Sequence, residues 1–458
     1  MKKINKYYII LIALVAMISC TDDDSFTTSP NNLLTFSSDT IRMDTVFSRV
    51  PTSRRSLWIY NKSGDGIRCA KVKLANGGSS GFRVNVDGIY LGKETNYQTS
   101  DIEIRNKDSI FVNVELTSRQ NNKTTPQFME DNLVFVLESG VEQKVNLNAY
   151  SWDADIVRNL VIKGDTTISS DRPIVVYGAM KIDSFATATI VPGTTLYFHS
   201  GAGLDVYGRL IAQGTAEKNI VFRGDRTDRM FDYLPYDMVS GQWNGIHFHS
   251  SSYENVMDYT DTHSTFNGIV CDSSDVSRLK LNLYNSTVHN CQGYGLKSVN
   301  SVVNVRNCQL TNALKDCAAI YGGAALLLNC TIAQFYPFDS NYGAALRFTN
   351  GENDGETKHD YPLHQMDCIN SIVTGYADDV VMGVVNDSTV AYNYRFINSI
   401  LRTDTVSDKE NIQNVIWENA DSVDIDTVSG GEKNFRLVDS KKQHYDFHLR
   451  STSRAIGA

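Results

Sequence analysis

The chain has 458 residues, 21% of them charged, with a formal net charge of −9. Its length allows two domains. The acidic balance excludes binding to nucleic acid or to an anionic surface through a broad basic face. No Cys-x-x-Cys pair, phosphate loop or dinucleotide fingerprint occurs. The thiolate-zinc and nucleotide chemistry tied to those spacings therefore has no motif here.

Residues 1–19 carry an export signal. Lys2, Lys3 and Lys6 precede an apolar run from Tyr7 to Ile18, which is too short to span a bilayer as an ordinary helix. The run ends at Ser19-Cys20, and the segment resembles a bacterial lipoprotein signal with Cys20 as the acylated residue. Residues 20–32 form an acidic linker. Its Asp22, Asp23 and Asp24 resemble the export tag of Bacteroidota surface lipoproteins. The resemblance implies a lipid-anchored protein of the outer membrane that faces the cell exterior. Removal of residues 1–19 takes the formal charge from −9 to −12.

Residues 33–152 alternate apolar and polar side chains. The pattern is plain in Leu57-Trp58-Ile59, Phe82-Arg83-Val84-Asn85-Val86, Ile110 to Leu116, Leu133 to Leu137 and Val145-Asn146-Leu147. Period-2 runs separated by Asn, Gly and Ser turns predict strands, and several within ~115 residues predict an immunoglobulin-like β-sandwich. The segment resembles the N-terminal sandwich modules of Bacteroidota surface lipoproteins, which implies a spacer role.

From 153 to 458 a phrase repeats. It reads Asn285-Ser286-Thr287-Val288, Asn307-Cys308-Gln309-Leu310, Asn329-Cys330-Thr331-Ile332, Asn370-Ser371-Ile372-Val373 and Asn398-Ser399-Ile400-Leu401. The first three copies are 22 residues apart, and the gaps of 41 and 28 read as that period with insertions. A second register of apolar stretches includes Gly268-Ile269-Val270, Gly295-Leu296-Lys297 and Ala345-Leu346-Arg347. Two short strands per period cannot bury a face alone, so coils must stack about 4.8 Å apart over a shared core. The constant Asn predicts an amide ladder at a left-handed turn. These repeats resemble the right-handed parallel β-helix, the pectate-lyase-like family. The closing Phe447-His448-Leu449 phrase resembles the end of many bacterial β-helix proteins. The fold expected is all-β, a sandwich followed by a β-helix.

Seven cysteines remain beyond Cys20, an odd number that cannot all pair. Cys308 and Cys330 replace Ser in the repeat and read as small stacked coil residues. Loops that interrupt a rigid scaffold are where function concentrates. In residues 224–243, Arg226, Arg229, Tyr233, Tyr236 and Trp243 are ligand-binding candidates, since aromatic faces and planar guanidinium groups suit sugars and acidic ligands. Residues 349–365 are acid-rich, a composition that can bind Ca²⁺, but they lack calcium-loop spacing, so the expectation is no cofactor, with Ca²⁺ left open without a motif behind it. Asp378 and Asp379 resemble the acid dyad of polygalacturonase-type hydrolases, but the accompanying Gly-His-Gly and Arg-Ile-Lys phrases are missing. The leading expectation is a non-catalytic binding or scaffold platform accessory to glycan or peptide uptake. Its expected partners are a TonB-dependent transporter with its lid lipoprotein and a polysaccharide or peptide ligand. The alternatives are a polysaccharide lyase or glycoside hydrolase, and an adhesin.

Overall fold

A computed structural model describes residues 25–353, 357–418 and 431–456. The chain divides into two units, Met1–Asp153 and Ala154–Ala458. Cys20, Asp22, Asp23 and Asp24 lie outside the described residues. Among those described, no helix is long and apolar enough to cross a membrane.

The first unit is a two-sheet β-sandwich. One sheet runs in the order Leu34–Phe36, Arg55–Asn61, Ser109–Leu116, Phe82–Val86, Ile89–Leu91. The other places Thr40–Phe47, Glu142–Trp152, Gln127–Leu137 and Ile67–Leu74 side by side. The alternation drives this packing: Ile110, Val112, Val114 and Leu116 face inward from one strand and meet Leu133, Phe135, Val145 and Leu147 in one core. Pairings between these strands are antiparallel except that Thr40–Phe47 lies parallel to Glu142–Trp152. Ile67–Leu74 escapes a period-2 reading because Ala70 and Lys71 are both exposed, and the register of its partner shifts there. Such a bulge breaks the alternation that sequence reading relies on.

The second unit stacks parallel strands coil upon coil. Each regular coil carries three strands, not the two expected. Face A includes Ile220–Gly224, Thr260–His263, Thr287–Cys291, Gln309–Ala313 and Thr331–Gln334. Face B includes Gly203–Val206, Ile246–Phe248, Ile269–Cys271, the first part of Leu296–Arg306, the first part of Ala318–Leu328, and Leu346–Thr349. Face C includes Arg209–Gln213, Asn255–Asp258, Leu279–Tyr284 and the second parts of the same two long strands. The third strand is hidden in sequence because Leu296–Arg306 and Ala318–Leu328 pass unbroken through the corner between faces B and C. Inside, residues of like register stack: Phe222, Thr262, Val288, Leu310 and Ile332 fill face A.

The repeated Asn marks the corner between faces C and A. Asn285, Asn307 and Asn329 have φ of 46°, 55° and 55°, the left-handed region that Asn tolerates. The amide of Asn307 donates to Asn285 and that of Asn329 to Asn307, each at 3.1 Å. The next residue turns inward and donates to the carbonyl two positions earlier: Cys308 to Arg306 at 3.1 Å, Cys330 to Leu328 at 3.4 Å, Ser371 to Ile369 at 2.8 Å. Hydroxyl and thiol thus do one job, and all seven described cysteines are free and buried.

The closing phrase does not form a coil. Phe435–Asp439 and His444–Leu449 pair as an antiparallel hairpin. Its Phe435 and Phe447 pack with Phe335, Ala333, Ile372 and Ile400 in a separate small core.

Candidate functional site

The insertion at residues 225–242 divides the sequence-derived binding candidates into different environments. Arg226 forks onto Asp228 at 2.6 and 2.7 Å and lies 3.7 Å over the ring of Tyr236, so this pair braces the loop itself. Trp243 is a core residue: it is 1% exposed, stacks flat on Phe198 at 4.2 Å, and donates its indole N–H to the His263 carbonyl. Its large apolar ring belongs in the coil interior, which corrects the expectation that it meets a ligand. Arg229 donates to the Asp232 carbonyl at 2.9 Å. Tyr233 is exposed and stacks near Phe231 at 5.7 Å. With Met230 and Phe338 these two rings line an apolar cleft.

Beneath the insertion, face A carries a network of charges. Asp237 accepts from Arg223 at 2.7 Å and sits 2.9 Å from His263 Nε2. His263 Nδ1 lies 2.9 Å from Asp261, and His289, one coil on, approaches the same Asp261 oxygen at 3.3 Å. Burial works against a charge on His263, but Asp261 and Asp237 outweigh it and lift its pKa to about 9. Burial likewise opposes ionisation of Asp261, yet His263 and His289 hold its carboxyl well below the usual range.

Face B carries two further groups on one outward register, where Asp205, His247, Val270, Lys297, Ala319 and Arg347 follow one another coil by coil. The first is a cluster of His–Asp pairs. His247 Nε2 lies 2.8 Å from Asp272, His249 Nε2 lies 3.0 Å from Asp205, and Tyr207 stacks on His249 at 3.9 Å. Burial raises Asp272, but the hydrogen bond from His247 prevails and leaves it below its usual range.

The second group is a cleft of ≈ 490 Å³ lined by Tyr294, Tyr321, Tyr342, Lys315 and Arg347, among others. Arg347 forks onto Asp316 at 2.7 and 3.1 Å, and Asp316 also accepts the Ala344 N–H. Lys297 binds Glu352 at 2.6 Å while its ammonium stands 5.4 and 5.2 Å from the rings of Tyr294 and Tyr321. The two phenol oxygens meet at 3.3 Å. Burial, then the bond to Tyr294, push the Tyr321 hydroxyl upward, so it stays protonated. Such a wall of rings and a planar Arg–Asp fork fits a ligand with both apolar faces and hydroxyls.

Asp378 and Asp379 are held separately. Arg402 donates to Asp378 at 2.7 Å, and Thr403 to Asp379 at 2.8 Å. In the acid-rich segment, Gly351–Asn353 pairs with Lys358–Asp360 as a hairpin, and its Glu352 serves Lys297.

A family model described as the right handed beta helix region matches residues 165–336. The second unit is a right-handed parallel β-helix. Among solved structures, the chain is similar to the catalytic unit of a thermostable GH87 alpha-1,3-glucanase from Streptomyces thermodiastaticus. The identity is 11%, with 79% of this chain and 81% of that one covered, at a TM-score of 0.23. At that score the likeness carries no argument about site or activity. No curated protein matches.

Sequence reading did not join the histidines of the β-helix into clusters. The available signals were His247-x-His249 and Asp261-x-His263, since period 2 on a strand puts both members on one side. A His-x-x-x-His spacing brings side chains together on a helix and not on a strand. The tyrosine cleft has no local signal: Lys297 and Arg347 lie 50 residues apart and become neighbours only through the coil register.

Proposed function

We propose that this protein is a lipid-anchored, non-catalytic binding platform on the outer face of an outer membrane, and that it holds a polysaccharide in the tyrosine cleft of the β-helix. The observation that carries the reading is the cleft itself. Tyr294, Tyr321 and Tyr342 offer ring faces beside the rigid Arg347–Asp316 fork. Sugar rings present apolar C–H faces to aromatic rings and hydroxyls to fixed polar groups. Lys315 lines the same cleft with its ammonium 5.0 Å from the Tyr294 ring, so it adds a cation for an acidic sugar. Acylated Cys20 is the anchor, the sandwich is an immunoglobulin-like spacer, and a TonB-dependent transporter with its lid lipoprotein is the uptake partner. The test is retardation of the mature chain in gels containing individual polysaccharides, with Tyr342→Ala and Arg347→Lys alongside. Retardation by one glycan class, lost in both variants without release of reducing ends, supports the reading. Retardation indifferent to both variants defeats it.

A second reading, a carbohydrate-active enzyme, is favoured by the His247–Asp272 and His249–Asp205 pairs on the same face. Such pairs can move protons. It requires new reducing ends or unsaturated uronate absorbance that disappears in His247→Ala. Loss in Asp378→Asn or Asp379→Asn instead would move the chemistry to the acid pair.

A further inference from the structure

We propose that Asp261, His263 and His289 form a site for one divalent ion of the zinc class, with Asp237 as the outer partner of His263. The three donors come from adjacent coils of face A, and their ligand atoms all lie within 4.8 Å of one another. His263 Nδ1 and His289 Nε2 converge on the same oxygen of Asp261, at 2.9 and 3.3 Å. The second distance is long for an ordinary N–H···O bond, whose range is about 2.7–3.2 Å. It matches the edge of a zinc tetrahedron, where bonds of roughly 2.0–2.1 Å place neighbouring donors about 3.3 Å apart.

The far side of His263 supplies an independent observation. Its Nε2 faces the Asp237 carboxylate at 2.9 Å. A carboxylate on the non-ligating nitrogen fixes the tautomer, so that Nδ1 presents its lone pair to a metal. Arg223 keeps Asp237 oriented from the other side at 2.7 Å. His263 itself is buried, and the rings of His263 and His289 stack at 4.8 Å because they are register partners. The site is therefore built into the coil and is not a chance meeting of surface side chains. Two imidazoles and one carboxylate suit Zn²⁺, Co²⁺ or Ni²⁺ better than Ca²⁺ or Mg²⁺, which favour all-oxygen shells.

The other cluster, Asp205 with His247 and His249, also brings donors within 4.8 Å of one another. There His249 has a carboxylate at each nitrogen, Asp205 at 3.0 Å and Asp272 at 3.5 Å, and it is more open to solvent. Face A is the better site. Because Asp237 belongs to the covering insertion, an ion bound below it would also tie that insertion to the coils.

The experiment uses the mature chain, stripped with a chelator and titrated with Zn²⁺ by calorimetry. Co²⁺ serves as a spectroscopic probe of tetrahedral nitrogen and oxygen ligation. One equivalent of Zn²⁺ is expected, with a raised melting temperature and slower proteolysis within residues 225–242. His289→Ala should lose binding and protection, while circular dichroism reports whether its coils remain intact. Asp237→Asn should weaken Zn²⁺ about 10- to 100-fold, as outer-partner changes do. Asp205→Asn should bind as the parent does. Absence of Zn²⁺ binding by the stripped chain overturns the proposal. So does binding that survives in a folded His289→Ala and is lost in His247→Ala.

Discussion

The corner between faces C and A and the outward register of face B belong to the same coils, yet they have been built by opposite rules. At the corner, five successive coils repeat the same solution: an Asn in the left-handed region, then a small hydroxyl or thiol turned inward onto a carbonyl. On face B, one register runs through Asp205, His247, Val270, Lys297, Ala319 and Arg347 without repeating a residue. The corner has to be the same each time because its groups bond to their own copies above and below. The outward register is free to vary, since its backbone is already paired on both sides. The lesson is that in a coil protein repetition marks what holds the molecule together, and departures from it mark where chemistry can be placed.

The comparison can be broken most sharply by substitution on the two sides of one strand. Leu310 is fully buried in the face A stack, and Leu310→Ala should cost about 2–5 kcal/mol in denaturant unfolding. Its neighbour Gln309 points outward, and Gln309→Ala should stay within about 0.5 kcal/mol. Equal effects at both would mean that the coil interior is not the dominant source of stability.

The corner can be dissected next. Asn307→Ala removes the ladder amide and places a Cβ-bearing residue without a polar side chain at φ 55°; a loss of about 2 kcal/mol is expected. Asn307→Gly restores the backbone freedom and should recover roughly half of that. If Gly and Ala behave alike, the amide ladder alone sets the residue choice.

Face B is probed by ligand rather than by unfolding. Tyr342→Ala should weaken glycan binding at least about tenfold, which corresponds to about 1.4 kcal/mol, while the melting temperature hardly moves. Cys308→Ser keeps the corner hydrogen bond and should change stability by less than about 1 kcal/mol. Reductant should leave the melting temperature of the parent unchanged, because the seven described thiols are unpaired, and a thiol reagent should label those seven only on unfolding. Burial pushes Cys271 and Cys368 up to about 12, which keeps them in the unreactive thiol form.

These two regions also explain how much could be read in advance. The Asn phrase, the stacked core and the left-handed corner were legible because each rests on a local rule applied at a fixed interval. The third strand was not, because Leu296–Arg306 crosses a corner without the turn residues that announce one. Trp243 was misread as a ligand-facing ring because composition alone does not tell an inward from an outward aromatic in a loop-rich stretch. The face A cluster needed Asp237 and His289 to be brought from 26 residues on either side of His263. The tyrosine cleft needed the register across an insertion. Both are products of coil stacking, which sequence periodicity announces but does not align once insertions intervene.

Thr287, Gln309 and Thr331 are register partners at intervals of 22 residues, and every outward and inward side chain between them keeps its place from one interval to the next. Excision of residues 287–308 would bring Gln309 into the place of Thr287 with its strand direction, its corner Asn and its facing unchanged. One extra residue inside a strand would instead turn the remainder of that strand inside out. The natural unit of inheritance in this half of the chain is therefore the whole turn. Such a molecule can be lengthened or shortened in evolution by copying or losing 22 codons at a stroke, and a recognition surface can be re-spaced without redesigning the core beneath it.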